Sequence, residues 1–164
     1  MVNYLLKVTA ELENLTNLHP QGGCDDPDFS YFFKLKCGQC GEITDKETCL
    51  TLSETVQSGK GTFHLVQKCK FCEREGTMTM IPGKGRPLTF EDAQSGKFTP
   101  LMLFDCRGFE PTDFSFRGSW SVQSLNGTPF VDIDLSDGEF SEYDEKGECP
   151  VMISNLKAAF EATK

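Results

Sequence analysis

Two cysteine pairs constrain this chain more than anything else in it. Cys37-Gly38-Gln39-Cys40 is followed by Gly41, and after a spacer of 28 residues comes Cys69-Lys70-Phe71-Cys72. Two residues between cysteines let one tight turn present both sulfurs to one ion, and Zn²⁺ accepts four thiolates in a tetrahedron. The spacer is longer than in the simplest paired-knuckle pattern, and two strands with a turn would fill it. Gly38 and Gly41 suit a knuckle, where the backbone turns sharply and calls for positive φ. The pattern predicts one closed four-cysteine site for Zn²⁺ built from Cys37, Cys40, Cys69 and Cys72. The competing reading of a single Cys-x-x-Cys is a redox dithiol.

Length and charge narrow the remaining options. The 164 residues, 38 % of them apolar and 14 of them Phe, suffice for one folded domain spanning 1–164. Eight cysteines would suggest disulfides in a secreted protein. The opening Met1-Val2-Asn3 begins no basic and then apolar leader, and no apolar run has membrane-spanning length. The expectation is therefore a reducing, cytoplasmic setting with no membrane partner, in which the cysteines serve metal. A formal net charge of −9 repels phosphate backbones, which argues against nucleic acid as a partner.

Hydrophobic periodicity points to strands. Over 4–18, Leu6, Val8, Ala10 and Leu12 alternate with polar residues, the period of a strand with one buried face. Residues 19–28, rich in Pro, Gly and Asp, read as a loop. Tyr31, Phe33 and Leu35 share one face of a strand over 29–36 that leads into the first knuckle. Further strands are expected over 47–57, with Cys49 buried inside it, over 62–68, over 77–81, over 98–106 and over 130–135. Ser58 to Gly61 reads as a turn and 83–97 as loop. The segment 150–161 is ambiguous: Val151-Met152-Ile153 favours a strand, Leu156 to Ala159 a helix.

The two halves resemble one another. Thr55-Val-Gln-Ser-Gly-Lys-Gly-Thr62 aligns with Ser121-Val-Gln-Ser-Leu-Asn-Gly-Thr128, 66 residues on, and 29–37 aligns with 98–106, 69 residues on. This predicts pseudo-repeat halves of about 1–76 and 77–164, stacked as a β-sandwich with the zinc knuckles in the first half. Cys37 keeps a counterpart in Cys106, whereas Cys40, Cys69 and Cys72 face Phe109, Leu135 and Gly138. The second half would then hold itself by packing of Phe104, Phe109, Phe114, Phe116 and Trp120.

Several runs together resemble a known family. They are Leu-Lys-Cys-Gly-x-Cys-Gly-Glu-Ile at 35–43, Val-Gln-Lys-Cys-Lys-x-Cys at 66–72 and Cys-Arg-Gly-x-Glu-Pro-x-Asp-Phe at 106–114, with Glu-Asn-Leu-Thr-Asn-Leu near the start and Tyr-Asp-Glu-Lys at 143–146. On these the chain is similar, over nearly its whole length, to the eukaryotic CXXC-motif-containing zinc-binding proteins. The resemblance implies an all-β fold of two related halves with one zinc in the first. It also implies that Cys37, Cys40, Cys69 and Cys72 are the ligands, with no settled enzymatic activity.

The other candidates have plainer roles. A site of four cysteines leaves no open position for an activated water, unlike a catalytic zinc. Lys36, Lys68 and Lys70 flank the knuckles, either offsetting thiolate charge or simply as surface residues. His64 reads as a packed or edge residue, and with two His in all there is little foothold for hydrolase chemistry. Cys49 and Cys106 read as buried small hydrophobes, Cys24 and Cys149 as unreactive thiols among acidic neighbours. The acidic stretch 132–148 reads as a solvated face or a dock for a basic partner. The sequence thus predicts an all-β zinc-binding protein, not an enzyme, acting through an unknown protein partner. The rivals are a thiol or methionine-sulfoxide oxidoreductase using Cys106 or Cys149, and a metal-handling protein.

Overall fold

The structure is a computed structural model describing residues 2–59 and 61–163. In chain order these form β1 (Val2–Glu13), β2 (Leu15–Pro20), β3 (Ser30–Cys37), β4 (Thr48–Thr51), β5 (Val56–Ser58), β6 (Gly61–Phe63), β7 (Leu65–Lys68) and β8 (Glu75–Ile81). Then follow α1 (Phe90–Gln94), β9 (Thr99–Arg107), β10 (Phe109–Ser115), β11 (Trp120–Ser124), β12 (Pro129–Ile133), β13 (Phe140–Asp144) and β14 (Cys149–Thr163). The expected all-β class is what forms, with the paired cysteines in the first half. The strand pairs that the structure records are all antiparallel. The largest sheet has the order β13-β14-β1-β9-β8-β7; smaller sheets run β10-β3-β4, β12-β11-β2 and β5-β6.

Alternation fixes which faces are buried. Leu6, Val8, Ala10 and Leu12 of β1 and Tyr31, Phe33 and Leu35 of β3 all lie inside. Between them the rings interlock edge to face, Phe33 against Phe104 at 5.2 Å and against Phe160 at 5.5 Å, and Phe29 against Trp120 at 5.6 Å. Burying each such ring contributes about 1.5–3 kcal/mol. The rings of Phe104 and Trp120 thus meet aromatic partners from the first half of the chain. The central sheet likewise takes β1, β7 and β8 from the first half and β9, β13 and β14 from the second.

Bulges curl the sheets. Opposite Ala10, β14 carries two positions and so one extra, with Thr9 paired to Lys157 and Glu11 to Ser154, and Asn155 sits there at φ 51. Asn17, Asp113 and Asp132 mark the register shifts of β2, β10 and β12 in the same way, each at positive φ. A bulge adds local twist, and Asn and Asp tolerate the left-handed region better than other side chains.

Several local expectations change. Segment 150–161 is strand throughout. The expected loop over 83–97 contains α1, whose first turn is capped by the Thr89 hydroxyl accepting from the Asp92 amide. The strand expected over 47–57 is two strands, β4 and β5, and Cys49 is exposed rather than buried, because it points away from the core that takes Leu50. The strand over 62–68 breaks at His64, whose Nδ1 accepts from the Met80 amide at 2.9 Å while Nε2 lies 3.2 Å from the Leu52 carbonyl oxygen. Lys60, in the expected Ser58–Gly61 turn, lies outside the described residues; Ser58 and Gly61 pair across it. Cys24, expected among polar neighbours, is buried, and its carbonyl accepts from the Tyr31 hydroxyl at 2.8 Å. Among the described residues no helix is long and apolar enough to cross a membrane.

Candidate metal centre

Each cysteine pair turns at the end of a strand. Cys37 ends β3, and Cys69 follows β7 directly. The two turns repeat one hydrogen-bond pattern. The Cys37 amide donates to the Glu42 carbonyl (2.9 Å) and the Gly41 amide to the Cys37 carbonyl (3.0 Å). The Cys69 amide donates to the Arg74 carbonyl (2.9 Å) and the Glu73 amide to the Cys69 carbonyl (3.0 Å). The residue after the second cysteine is left-handed in both, Gly41 at φ 80 and Glu73 at φ 63.

Close backbone approach brings the turns together. The Gly38 amide donates to the Gly108 carbonyl at 2.9 Å, which ties the first knuckle to the β9–β10 turn. On the other side of that turn lies Gly76 of β8. A Cβ there would stand 2.4 Å from the Phe109 ring and 2.7 Å from the Arg107 carbonyl oxygen. Only a residue without a side chain lets β8, which carries the second knuckle through its pairing with β7, lie so near β10.

The four sequence-predicted sulfurs converge. All lie within 4.8 Å of one another, with Cys37 Sγ 3.5 Å from Cys72 Sγ and Cys40 Sγ 3.6 Å from Cys69 Sγ. Four thiolates about 2.3 Å from one ion stand roughly 3.8 Å apart by tetrahedral geometry, so this donor set fits Zn²⁺. A disulfide would need about 2.0 Å, and all eight cysteines are free thiols. Both of these contacts run from one knuckle to the other, so the two turns share one site.

The backbone tunes the sulfurs. The amides of Cys40 and Gln39 hold the Cys37 thiol down to about 6, and those of Cys72 and Phe71 lower Cys69 likewise. Cys40 feels the downward pull of the Glu42 amide, but partial desolvation of its sulfur and the neighbouring thiols push it up to about 12. Four thiolates cannot share so small a space without a cation, and a bound divalent ion reverses that balance. Lys36, Lys68 and Lys70 are exposed around this centre.

The other cysteines lie apart. Cys106 is buried, and burial first, then Asp105 and Glu110, push its thiol up to about 12. Burial and Asp25 push Cys24 up to about 11. Cys149 begins β14, opposite Asp144. Sequence reasoning missed a cleft beside the second knuckle, lined by 42–48 and 67–71. The exposed Phe71 inside Cys69–Cys72 was its only signal.

Comparison with known proteins agrees with the geometry. The family model described as CXXC motif containing zinc binding protein, eukaryotic, matches residues 5–161. The CXXC motif containing zinc binding protein of Xenopus laevis is 38 % identical over 163 residues, covering 98 % of each chain. A solved structure titled Crystal Structure of C1orf123 superposes with a TM-score of 0.85 at 36 % identity, covering 98 % of this chain and 99 % of that one. A hypothetical protein from Plasmodium falciparum shares the fold, with a TM-score of 0.79 at 22 % identity over 98 % and 100 % of the two chains. This chain belongs to the eukaryotic family of CXXC motif containing zinc binding proteins.

Proposed function

We propose that Cys37, Cys40, Cys69 and Cys72 hold one structural Zn²⁺, and that the protein is a cytoplasmic protein-interaction module without catalysis. The convergence of four sulfurs carries this reading. With four protein ligands the ion has no position left for water or substrate, so it acts as a clamp between β3 and β7. The oxidoreductase alternative gains no support from the geometry. Neither knuckle opens a helix whose N-terminus would activate a thiolate; both turn between strands. Cys106 is buried with a raised pKa, the opposite of a nucleophile's setting.

Metal content of the protein as isolated is the first test, with one Zn²⁺ per chain expected. Affinity capture from cell extract with the loaded protein is the second, with a partner expected that Cys40→Ser loses. No stoichiometric metal, or turnover of methionine sulfoxide with cycling thiols, would defeat the reading. One observation favours metal handling as a second reading: Cys40 is exposed, so one ligand is open to an incoming thiol. Rapid loss of the ion to a weak chelator would favour that role.

A further inference from the structure

The second knuckle forms one wall of a cleft of about 300 Å³, and the segment 42–48 forms the other. Leu35 and Phe109, both buried core residues, also line it. Two large apolar side chains stand exposed beside it, Ile43 at 46 % and Phe71 at 67 %. Glu42 and Asp45 belong to the first wall, with Lys46 between the acids of that wall, and Lys68 and Lys70 to the second. None of these five makes an ion pair among the described residues. Glu47, on the same wall as the acids, is already committed to Arg117 at 3.1 Å and to the Ser115 hydroxyl.

Opposite charges that face one gap without meeting are groups an occupant can satisfy. The second wall also continues from β7, the terminal strand of the six-stranded sheet, which pairs on one side only. Its outer backbone groups are a template for an added strand. Lysines at 68 and 70 discourage pairing with a like edge and admit a carboxylate.

Resting on the interaction-module reading, we propose that this cleft receives an extended peptide segment of a partner protein. A large apolar residue of that segment enters between Ile43 and Phe71, flanked by one acidic and one basic residue. The carboxylate meets Lys68 and Lys70, the cation meets Glu42 and Asp45, and the backbone adds to β7. The Zn²⁺ fixes Phe71 by holding Cys69 and Cys72 on either side of it.

The test is selection from a random 12-residue peptide library on the zinc-loaded full chain. Selected peptides are expected to carry a large apolar residue with one acid and one base within two positions. Phe71→Ser should weaken them about tenfold or more, and Lys68→Glu with Lys70→Glu should shift selection to peptides with basic flanks. Phe71 and both lysines are exposed, so retained metal content and an unchanged melting curve confirm that the variants fold. Peptides that bind Phe71→Ser equally well, an unchanged charge preference in the lysine variant, or no selected peptide each overturn the cleft. Capture from extract then separates the two readings. A partner retained by Phe71→Ser overturns the cleft and leaves the module; no partner at all removes both.

Discussion

At the residue scale the two knuckles are one device written twice, with one difference. Gly41 and Glu73 occupy the same left-handed position, at φ 80 and φ 63. A residue with a Cβ there strains its backbone by about 1–2 kcal/mol, and glycine does not, although it adds freedom to the unfolded chain. Glu73→Gly is expected to stabilise the zinc-loaded protein by about 1 kcal/mol. Denaturant midpoints of the two forms would show it, and a lowered midpoint would mean that Glu73 is held by something other than its backbone. This is also the scale at which the sequence was most legible. The spacing of four cysteines named the groups that converge, because a two-residue gap admits few turns. The mates of Cys37 and Cys40 were less readable. Cys37 Sγ lies 3.5 Å from Cys72 Sγ and Cys40 Sγ 3.6 Å from Cys69 Sγ, and that approach depends on Gly38 packing on Gly108, far along the chain.

At the element scale, parity decided what could be read. In β14 the buried positions are Val151 and Ile153, then Leu156, Ala158 and Phe160 pack partly buried on the same core. The bulge at Asn155 moves the inward set from odd to even numbers, so a search for strict alternation fails across it. The alanines and leucine beyond it then read as helix, until pairing with β1 overrides propensity. Asn155→Val is expected to cost about 1–2 kcal/mol, since a β-branched side chain is poorly placed at positive φ, while Asn155→Gly stays near neutral. Thermal unfolding of both variants checks this; equal melting would remove the bulge as a requirement.

A second element-level tie is chemical. Asp144 ends β13 fully buried, and Thr128 Oγ1 donates to it at 2.8 Å from the β11–β12 turn. The Ser124 hydroxyl, then that of Thr128, hold its carboxyl below the usual range. With the folded pKa depressed, the carboxylate adds stability that is complete above the unfolded value of about 4 and is lost as pH falls through the lower folded value. Asp144→Asn should flatten the fall in stability below about pH 4 relative to the unchanged protein. Acid titration of the denaturant midpoint measures it; parallel curves would mean that Asp144 does not titrate with unfolding.

At the scale of the whole molecule, the four-sulfur tip and the aromatic core do different work. The sequence pointed to two repeat halves, from which loss of the ion would be expected to unfold the first. The strands of the two halves are interleaved: β1 lies between β14 and β9, and Phe33 and Tyr31 of β3 pack on Phe104 of β9. None of those contacts passes through a knuckle cysteine. The knuckle turns, by contrast, are held by their own short hydrogen bonds, by Gly38 on Gly108, and by four sulfurs that repel once ionised without a cation. Chelation is therefore expected to be local. Amides of 37–42 and 69–74 should lose protection from hydrogen exchange while those of β1, β9 and β14 keep most of theirs, with a lower melting temperature overall. Exchange measured by mass spectrometry before and after chelation tests this, with zinc added back to restore the lost protection. Uniform loss across β1 and β14 would mean that the bound ion holds the core together as well as its tip, and the proposed wall beside Phe71 could not then be separated from the fold itself.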